Sequence, residues 1–302
     1  MCIRDSLTGD PLIHCINSSN SKKCIFGNEQ SEPLYEVLDS INIKNKKDIL
    51  WVKENINQLC PEWATNIDEE VDITDVQLPN TLDNVTAKDT AFYIFTSGTT
   101  GVPKAALFPN SKIIAASSNI AIGGYRIDEN DCMYNCLPLY HSTGLMLGLA
   151  ACIQVGAATL IRRKFSASAF WKEAKEFNTT AFVYVGELCR YLSFQDPSDE
   201  EKNNPISKMV GNGLRPDIWE AFQKRFNINQ IREIYGATEA VGMTINYFGR
   251  AGMIGRKRSD STIINCNKDD GTPILNEKGF CTKAVSYTHL RAHETLRYLV
   301  CR

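Results

Sequence analysis

The sequence predicts an α/β fold of layered, doubly wound, mostly parallel sheets covered by helices, with antiparallel β pieces near the C-terminal end. Three observations predict it. Apolar strand-like runs alternate with helical segments through residues 131–235, the succession that builds a parallel sheet. Glycine-, hydroxyl- or histidine-bearing turns follow several of those runs, where such sheets place their chemistry. After residue 240 the pieces shorten, and Asp269-Asp270-Gly271 and Asn276-Glu277-Lys278-Gly279 read as turns between antiparallel strands.

Taken in order, residues 10–19 read as a helix and 23–26 as a short strand. Residues 32–41 form an amphipathic helical pattern, and Ile49-Leu50-Trp51-Val52 is a strand. Residues 54–88 are polar and acidic with little periodicity, so they read as a surface connection. A β-type run at 91–95 enters a Thr/Gly loop, and 105–108 reads as a second strand. Helices are expected at 111–122, 141–154, 166–177, 187–194 and 216–226. Strands are expected at 131–137, 157–162, 180–185, 206–210 and 231–235, with a polar, acidic loop at 195–204.

The ends carry a different signature. Met1-Cys2-Ile3-Arg4-Asp5 can be encoded by a DNA element whose reverse complement encodes Val-Ser-Tyr-Thr-His, which is Val285–His289. Residues 1–6 and 285–302 therefore read as adapter-derived artefacts bracketing an open reading frame, and are set aside for fold reasoning. The intervening residues divide into an incomplete N-terminal sheet region with its surface connection (7–88), an α/β core (89–240) and the start of an antiparallel β region (241–284).

The formal net charge is −2. Arg291, Arg297 and Arg302 against Glu294 place two positive charges in the terminal segment, so the remainder stands at −4. That balance argues against a general nucleic-acid surface. No apolar run reaches the roughly 18–20 residues that span a bilayer. The eleven cysteines show no C-x-x-C pair and no Cys/His cluster at zinc spacing, so free thiols in a reducing compartment are expected. The location read from this is intracellular, either cytoplasmic or peripherally associated with a membrane.

The most informative stretch is Tyr93–Lys104, YIFTSGTTGVPK. Thr96, Ser97, Gly98, Thr99, Thr100, Gly101 and Lys104 place four hydroxyls, two glycines and one ammonium within nine residues. Glycines let backbone N–H groups approach a phosphate, hydroxyls add donors and lysine supplies a point charge. It is not a Walker A loop, because Pro103 and Val102 separate glycine from lysine. Three further strand ends carry unusual residues: Leu137–Gly144 with His141, Gly211-Asn212-Gly213, and Tyr235-Gly236-Ala237-Thr238-Glu239. Each alone reads as a turn, a helix start or core. Together they are expected at four strand exits on one rim of one sheet.

At these residues the chain resembles a known family. TSGTTGVPK, LPLYHSTG and YGATE, in that order, are similar to the nucleotide-binding motifs of the acyl-adenylate-forming enzymes. CLPLYHSTG (136–144), RRKFSASAFW (162–171), YVGELCRYL (184–192), GNGLR (211–215) and IYGATE (234–239) resemble the fatty acid transport protein/very-long-chain acyl-CoA synthetase branch. The resemblance covers nearly all of 7–284 and is weakest at 40–88. It implies a truncated large N-terminal domain of such an enzyme. It also implies a long- or very-long-chain acid–thiol ligase, converting a fatty acid and ATP to acyl-AMP and pyrophosphate and then to acyl-CoA, with Mg²⁺ as cofactor and coenzyme A as co-substrate.

The residue roles it implies are specific. Tyr93 and Thr96–Lys104 would serve ATP, with Lys104 on the departing phosphates. Thr238 would bind the α-phosphate and Glu239 would ligate Mg²⁺. Tyr235, with Gly236 and Ala237, would face adenine, and Gly211, Asn212 and Gly213 would approach its other side. His141 would lie near the acyl carboxylate, and Tyr184, Val185 and Gly186 would line the acyl pocket. The family's ribose-binding aspartate, hinge and adenylating lysine would lie beyond residue 284, so no residue here takes those roles, and the fragment itself is expected to be inactive. Two alternatives stay open: a non-catalytic fatty-acid uptake or binding protein of the same fold, and an adenylating ligase for another carboxylate.

Overall fold

A computed structural model describes residues 7–71, 77–96, 103–238, 243–255, 262, 264–267 and 272–283. The chain divides into two compact units, Met1–Asn110 and Ser111–Arg302. Both terminal segments read as artefacts from the sequence, 1–6 and 285–302, lie outside the described residues.

The first unit opens with helix α1 (Gly9–Ser19) and a three-stranded parallel sheet of β1 (Cys24–Gly27), β2 (Ile49–Val52) and β3 (Thr65–Asn66). Phe26, Leu34, Val37, Ile41, Ile49 and Trp51 form its core, and Leu12, Ile13 and Ile16 of α1 pack against them. The Trp63 ring stacks on Phe26 at 5.1 Å. The helix expected at 32–41 is interrupted: α2 (Ser31–Tyr35) stops and a 3₁₀ turn (Leu38–Ser40) completes the segment. Leu34, Val37 and Ile41 still reach one core, so the apolar spacing was met without a continuous helix. The stretch read as a plain surface connection contributes β3, helix α3 (Ile67–Glu70) and the buried Ala64.

β4 (Thr90–Thr96) and β5 (Lys104–Pro109) form a two-stranded antiparallel sheet in which Thr96 stands opposite Lys104. This corrects the expectation that the Thr/Gly loop leaves the same sheet as the other three turns. The seven residues between Thr96 and Lys104 are too few for a parallel crossover, which needs about a dozen or more. The loop is a hairpin connection.

The second unit is built on a six-stranded sheet in the order β11-β10-β9-β8-β6-β7. β6 (Cys132–Asn135), β7 (Ala158–Ile161), β8 (Ala181–Val185), β9 (Lys208–Asn212) and β10 (Gln230–Tyr235) run parallel. β11 (Thr244–Ile245) adds antiparallel at the β10 edge. Helix α4 (Asn110–Ser118) leads in and continues as a π-helix, Asn119–Tyr125. A second π-helix, Thr143–Ala150, runs into α5 (Ala151–Val155) between β6 and β7. α6 (Phe170–Glu176), α7 (Gly186–Ser193) and α8 (Pro216–Arg225) make the remaining crossovers.

Strand order sets where a ligand crevice opens. From β6 the chain steps outward to β7, then returns across β6 to β8 and continues through β9 to β10. Right-handed crossovers therefore put the helix after β6 and the helix after β8 on opposite faces. The strand order reverses between β6 and β8, and the crevice of a doubly wound sheet lies at the carboxyl ends of strands at such a point.

The sheet is packed mainly by aromatic side chains. Phe170 lies 4.6 Å from Tyr134 and 4.8 Å from Phe182, ring centre to centre, and Trp171 lies 4.5 Å from Phe226. At the opposite end of the strands, Lys208 Nζ bonds Asp131 Oδ2 at 2.7 Å and the Thr180 hydroxyl donates to Asp131 Oδ1 at 2.6 Å. After residue 243, antiparallel bridges join Ile264 to Lys283, Cys266 to Pro273 and Leu275 to Cys281, as the turn sequences predict. The Asn276–Gly279 turn closes with Gly279 N–H on the Asn276 carbonyl at 2.9 Å, while Asp269–Gly271 lies outside the described residues. Among the described residues no helix is long and apolar enough to cross a membrane.

Candidate functional site

In the second unit the exits of β6, β8, β9 and β10 are fastened to one another. The β6 exit is organised by Asn135, which is fully buried. Its Oδ1 accepts from Leu137 N–H at 3.2 Å and its Nδ2 donates to the Gly144 carbonyl at 2.9 Å. That pair fixes the loop bearing His141. The His141 N–H bonds the Pro138 carbonyl at 3.1 Å, and its Nδ1 accepts from Thr143 N–H at 3.2 Å. Burial pushes the imidazole below the ordinary histidine range, so at neutral pH it is uncharged with its proton on Nε2.

Ser142, beside it, reaches the β10 exit. Its Oγ stands 3.2 Å from Thr238 Oγ1. The Thr238 carbonyl accepts from Lys112 Nζ of α4 at 2.9 Å. Thr238 is thus held on both its side chain and its backbone.

The exits of β8 and β9 meet through backbone. A Cβ on Gly186 would overlap the Gly213 carbonyl oxygen, and Gly213 itself has φ +85°, a left-handed conformation that favours glycine. The exits of β9 and β10 meet through Glu233, whose Oε2 accepts from Gly213 N–H at 2.9 Å and whose Oε1 accepts from Leu214 N–H at 2.9 Å. Tyr184 is fully buried and its hydroxyl donates to Glu233 Oε1 at 2.7 Å. The side chain expected in the acyl pocket is therefore engaged inside the sheet, whereas Val185 and Gly186 follow at the strand end. Tyr235 is half-buried, and Gly236 and Ala237 follow it as irregular chain.

In the first unit the loop's two ends are tied. Thr96 Oγ1 approaches the Lys104 carbonyl at 3.5 Å, and His14 Nε2 on α1 stands 2.9 Å from the Pro103 carbonyl. Tyr93 and Lys104 are exposed. Ser97, Gly98, Thr99, Thr100, Gly101 and Glu239 lie outside the described residues.

Among the described residues no group of three or more His, Cys, Asp or Glu is placed to hold a metal. A Mg²⁺ carried by nucleotide phosphates needs only one or two protein carboxylates. The described donors at the strand exits, the Ser142 and Thr238 hydroxyls, are hard oxygens that suit it, and Glu239 is the adjoining carboxylate in sequence. The thiols are unsuited: burial pushes the Cys136 and Cys152 groups up to about 12.

Sequence reasoning named the turns but missed their fasteners. Ser142 lay inside a quoted motif without a role. Glu233 sits beside Arg232 in IREIY, where charges on a strand read as solvent-facing positions. Nothing near Lys112 or His14 marks them as partners of residues 126 and 89 positions away.

The fold and these strand-end motifs define a class. A family model for AMP-binding enzymes matches residues 1–276, and the chain belongs to that family. The curated relatives it resembles include long-chain fatty acid transport proteins. It is 36% identical over 289 residues to long-chain fatty acid transport protein 6 of Mus musculus, covering 93% of this chain and 45% of that protein. It is 38% identical over 291 residues to long-chain fatty acid transport protein 1 of Homo sapiens, covering 91% and 43%. The chain thus spans less than half the length of these relatives. Among solved structures it resembles the anthranilate CoA ligase AuaEII in complex with anthranoyl-AMP, at TM-score 0.73 and 16% identity over 90% of this chain and 52% of that one. It also resembles a Mycobacterium tuberculosis fatty acyl CoA synthetase, at TM-score 0.70 and 18% identity over 89% and 51%. These two likenesses show the shared fold.

Proposed function

We propose that this chain is the nucleotide- and acyl-binding part of an ATP-dependent long- or very-long-chain fatty acyl-CoA synthetase. The observation that carries the reading is the fastening of the β6 and β10 exits through Ser142 and Thr238, which holds the histidine motif and the YGATE motif as neighbours. We assign the nucleotide and acyl functions to residues 89–240 and the start of an antiparallel region to 241–284.

The proposed reaction has two steps. A fatty carboxylate oxygen attacks the α-phosphorus of ATP; the bond to the bridging oxygen breaks and pyrophosphate leaves. The coenzyme A thiol then loses its proton to solvent as its sulfur attacks the acyl carbon, and AMP leaves with the electron pair of the broken C–O bond. The first step joins two anions, so the chain must supply positive charge and fixed donors. Lys104 and the hydroxyls and amides of Thr96–Gly101 neutralise the departing phosphates. Thr238 donates to the α-phosphate, oriented by Ser142. Tyr235 and the Gly211–Gly213 turn receive adenine. Glu239 would hold Mg²⁺, which would supply charge neutralisation at the phosphates.

His141, uncharged and half-buried, binds at the carboxylate without adding a competing cation. The acyl chain enters beside Val185 and Gly186, at the β6/β8 reversal. A strand reading Ala181-Phe182-Val183-Tyr184-Val185 offers no carboxylate for a substrate amine, which favours a fatty acid over an amino acid. Fatty-acid-dependent exchange of labelled pyrophosphate into ATP, measured on the full-length gene product, tests the reading. Exchange with palmitate or a longer acid supports it, and nucleotide or lipid binding without exchange supports a non-catalytic binding protein instead.

A further inference from the structure

Three adjacent strands place Tyr184, Gly211 and Glu233 in one transverse row, since Tyr184 stands opposite Gly211 in the β8–β9 pairing and Gly211 opposite Glu233 in the β9–β10 pairing. The middle residue has no side chain. A Cβ there would lie 2.6 Å from Tyr184 Cγ and would overlap the Tyr184 carbonyl oxygen. The gap lets the tyrosine hydroxyl meet Glu233 Oε1 at 2.7 Å across an intervening strand. The same carboxylate, 5% exposed, takes the N–H groups of Gly213 and Leu214 at 2.9 Å each.

We propose that Glu233 is the positioning residue of the Gly211–Gly213 turn, clamping the backbone of Gly213 and Leu214 in the shape that receives the nucleotide, with Tyr184 holding the clamp and Gly211 making room for it. This rests on the nucleotide-binding role proposed above for the turn. It changes the reading of two residues: Gly211 is needed for packing within the sheet rather than for ligand approach, and Tyr184 acts through the turn rather than on the acyl chain.

The chemistry requires a carboxylate. Three donors converge on two oxygens, and a carboxylate is acceptor-only. In Glu233→Gln the amide nitrogen must face at least one N–H or O–H donor, so the isosteric change removes a bond and sets donor against donor. The turn loosens while the strand pairing stays.

The test measures amide hydrogen exchange and steady-state kinetics on the full-length gene product. In Glu233→Gln, the Gly213 and Leu214 amides should exchange about tenfold faster or more, with amides inside β9 and β10 changed less than about threefold. Tyr184→Phe, which removes one donor and leaves both N–H bonds, should give a smaller acceleration at the same two amides. KM for ATP should rise about fivefold or more with kcat within about threefold, a split that a general loss of fold would not produce. Should Glu233→Gln not fold, Tyr184→Phe carries the test. Unchanged exchange at Gly213 and Leu214, or equal acceleration throughout the sheet, overturns the clamp. A parent protein without pyrophosphate exchange overturns the proposed function, and the amide measurement still decides the clamp.

Discussion

Ser142 Oγ and Thr238 Oγ1 lie 3.2 Å apart across 96 residues of sequence, joining the first and last parallel strand exits of the second unit. A hydroxyl pair of this kind does little for the fold and much for orientation, because it fixes the rotamer of the threonine assigned to the α-phosphate. Ser142→Ala should leave the melting temperature within about 2 °C and slow adenylation about fivefold, the equivalent of ~1 kcal/mol for one neutral hydrogen bond. Thermal denaturation and single-turnover adenylation check it.

Lys104 is exposed at the base of the β4–β5 hairpin. It supplies charge and not packing. Lys104→Ala should slow adenylation about tenfold or more, since a charge-assisted contact contributes ~1.5–3 kcal/mol, with no measurable change in stability. A rate within about twofold of the parent removes the lysine from the site.

These two residues differ in how legible they were. Lys104 stood in a nine-residue signature and could be read without coordinates. Ser142 could not be paired with Thr238, because that contact depends on strand order, and no single-strand pattern encodes order. The parallel core was legible for the opposite reason: each of its strands is a short apolar run closed by a turn. The hairpin of β4 and β5 was visible as two strands, but its separation from the six-stranded sheet was not. The two π-helices were read as plain helices, since TGLMLGLA is apolar all round and has no face whose period could reveal the wider turn. Glu233 was invisible because a charge on a strand ordinarily faces water.

Gly186 meets Gly213 backbone to backbone. Gly186→Ala has no flexible neighbour to displace, so the turn must move. The expected cost is about 1–3 kcal/mol of stability, with loss of AMP binding. Denaturant unfolding together with calorimetric titration of AMP measures both.

Asp131 reports on acid stability. Burial opposes its ionisation, but the Lys208 and Thr180 hydrogen bonds, with the Asp128 N–H, outweigh burial and hold its carboxyl below the usual range. A carboxylate with a lowered folded pKa contributes stability above its unfolded value, near 3.9, and loses it as pH falls through the folded value. Asp131→Asn should destabilise by about 1–3 kcal/mol at pH 7, and the difference from the parent should shrink below about pH 4. Urea unfolding across pH 3–7 checks the sign; a difference that grows on acidification contradicts it.

The central claim is adenylation of a fatty acid at the fastened strand exits, and pyrophosphate exchange measures it most directly. The full-length gene product, given ATP, Mg²⁺ and a long-chain fatty acid, should exchange labelled pyrophosphate into ATP without coenzyme A. The rate should depend on the fatty acid and fall in Ser142→Ala and Lys104→Ala, and in Glu233→Gln when ATP is below its KM. Exchange driven by an aryl or amino acid but not by a fatty acid, or no exchange while fatty acid still binds, would contradict it.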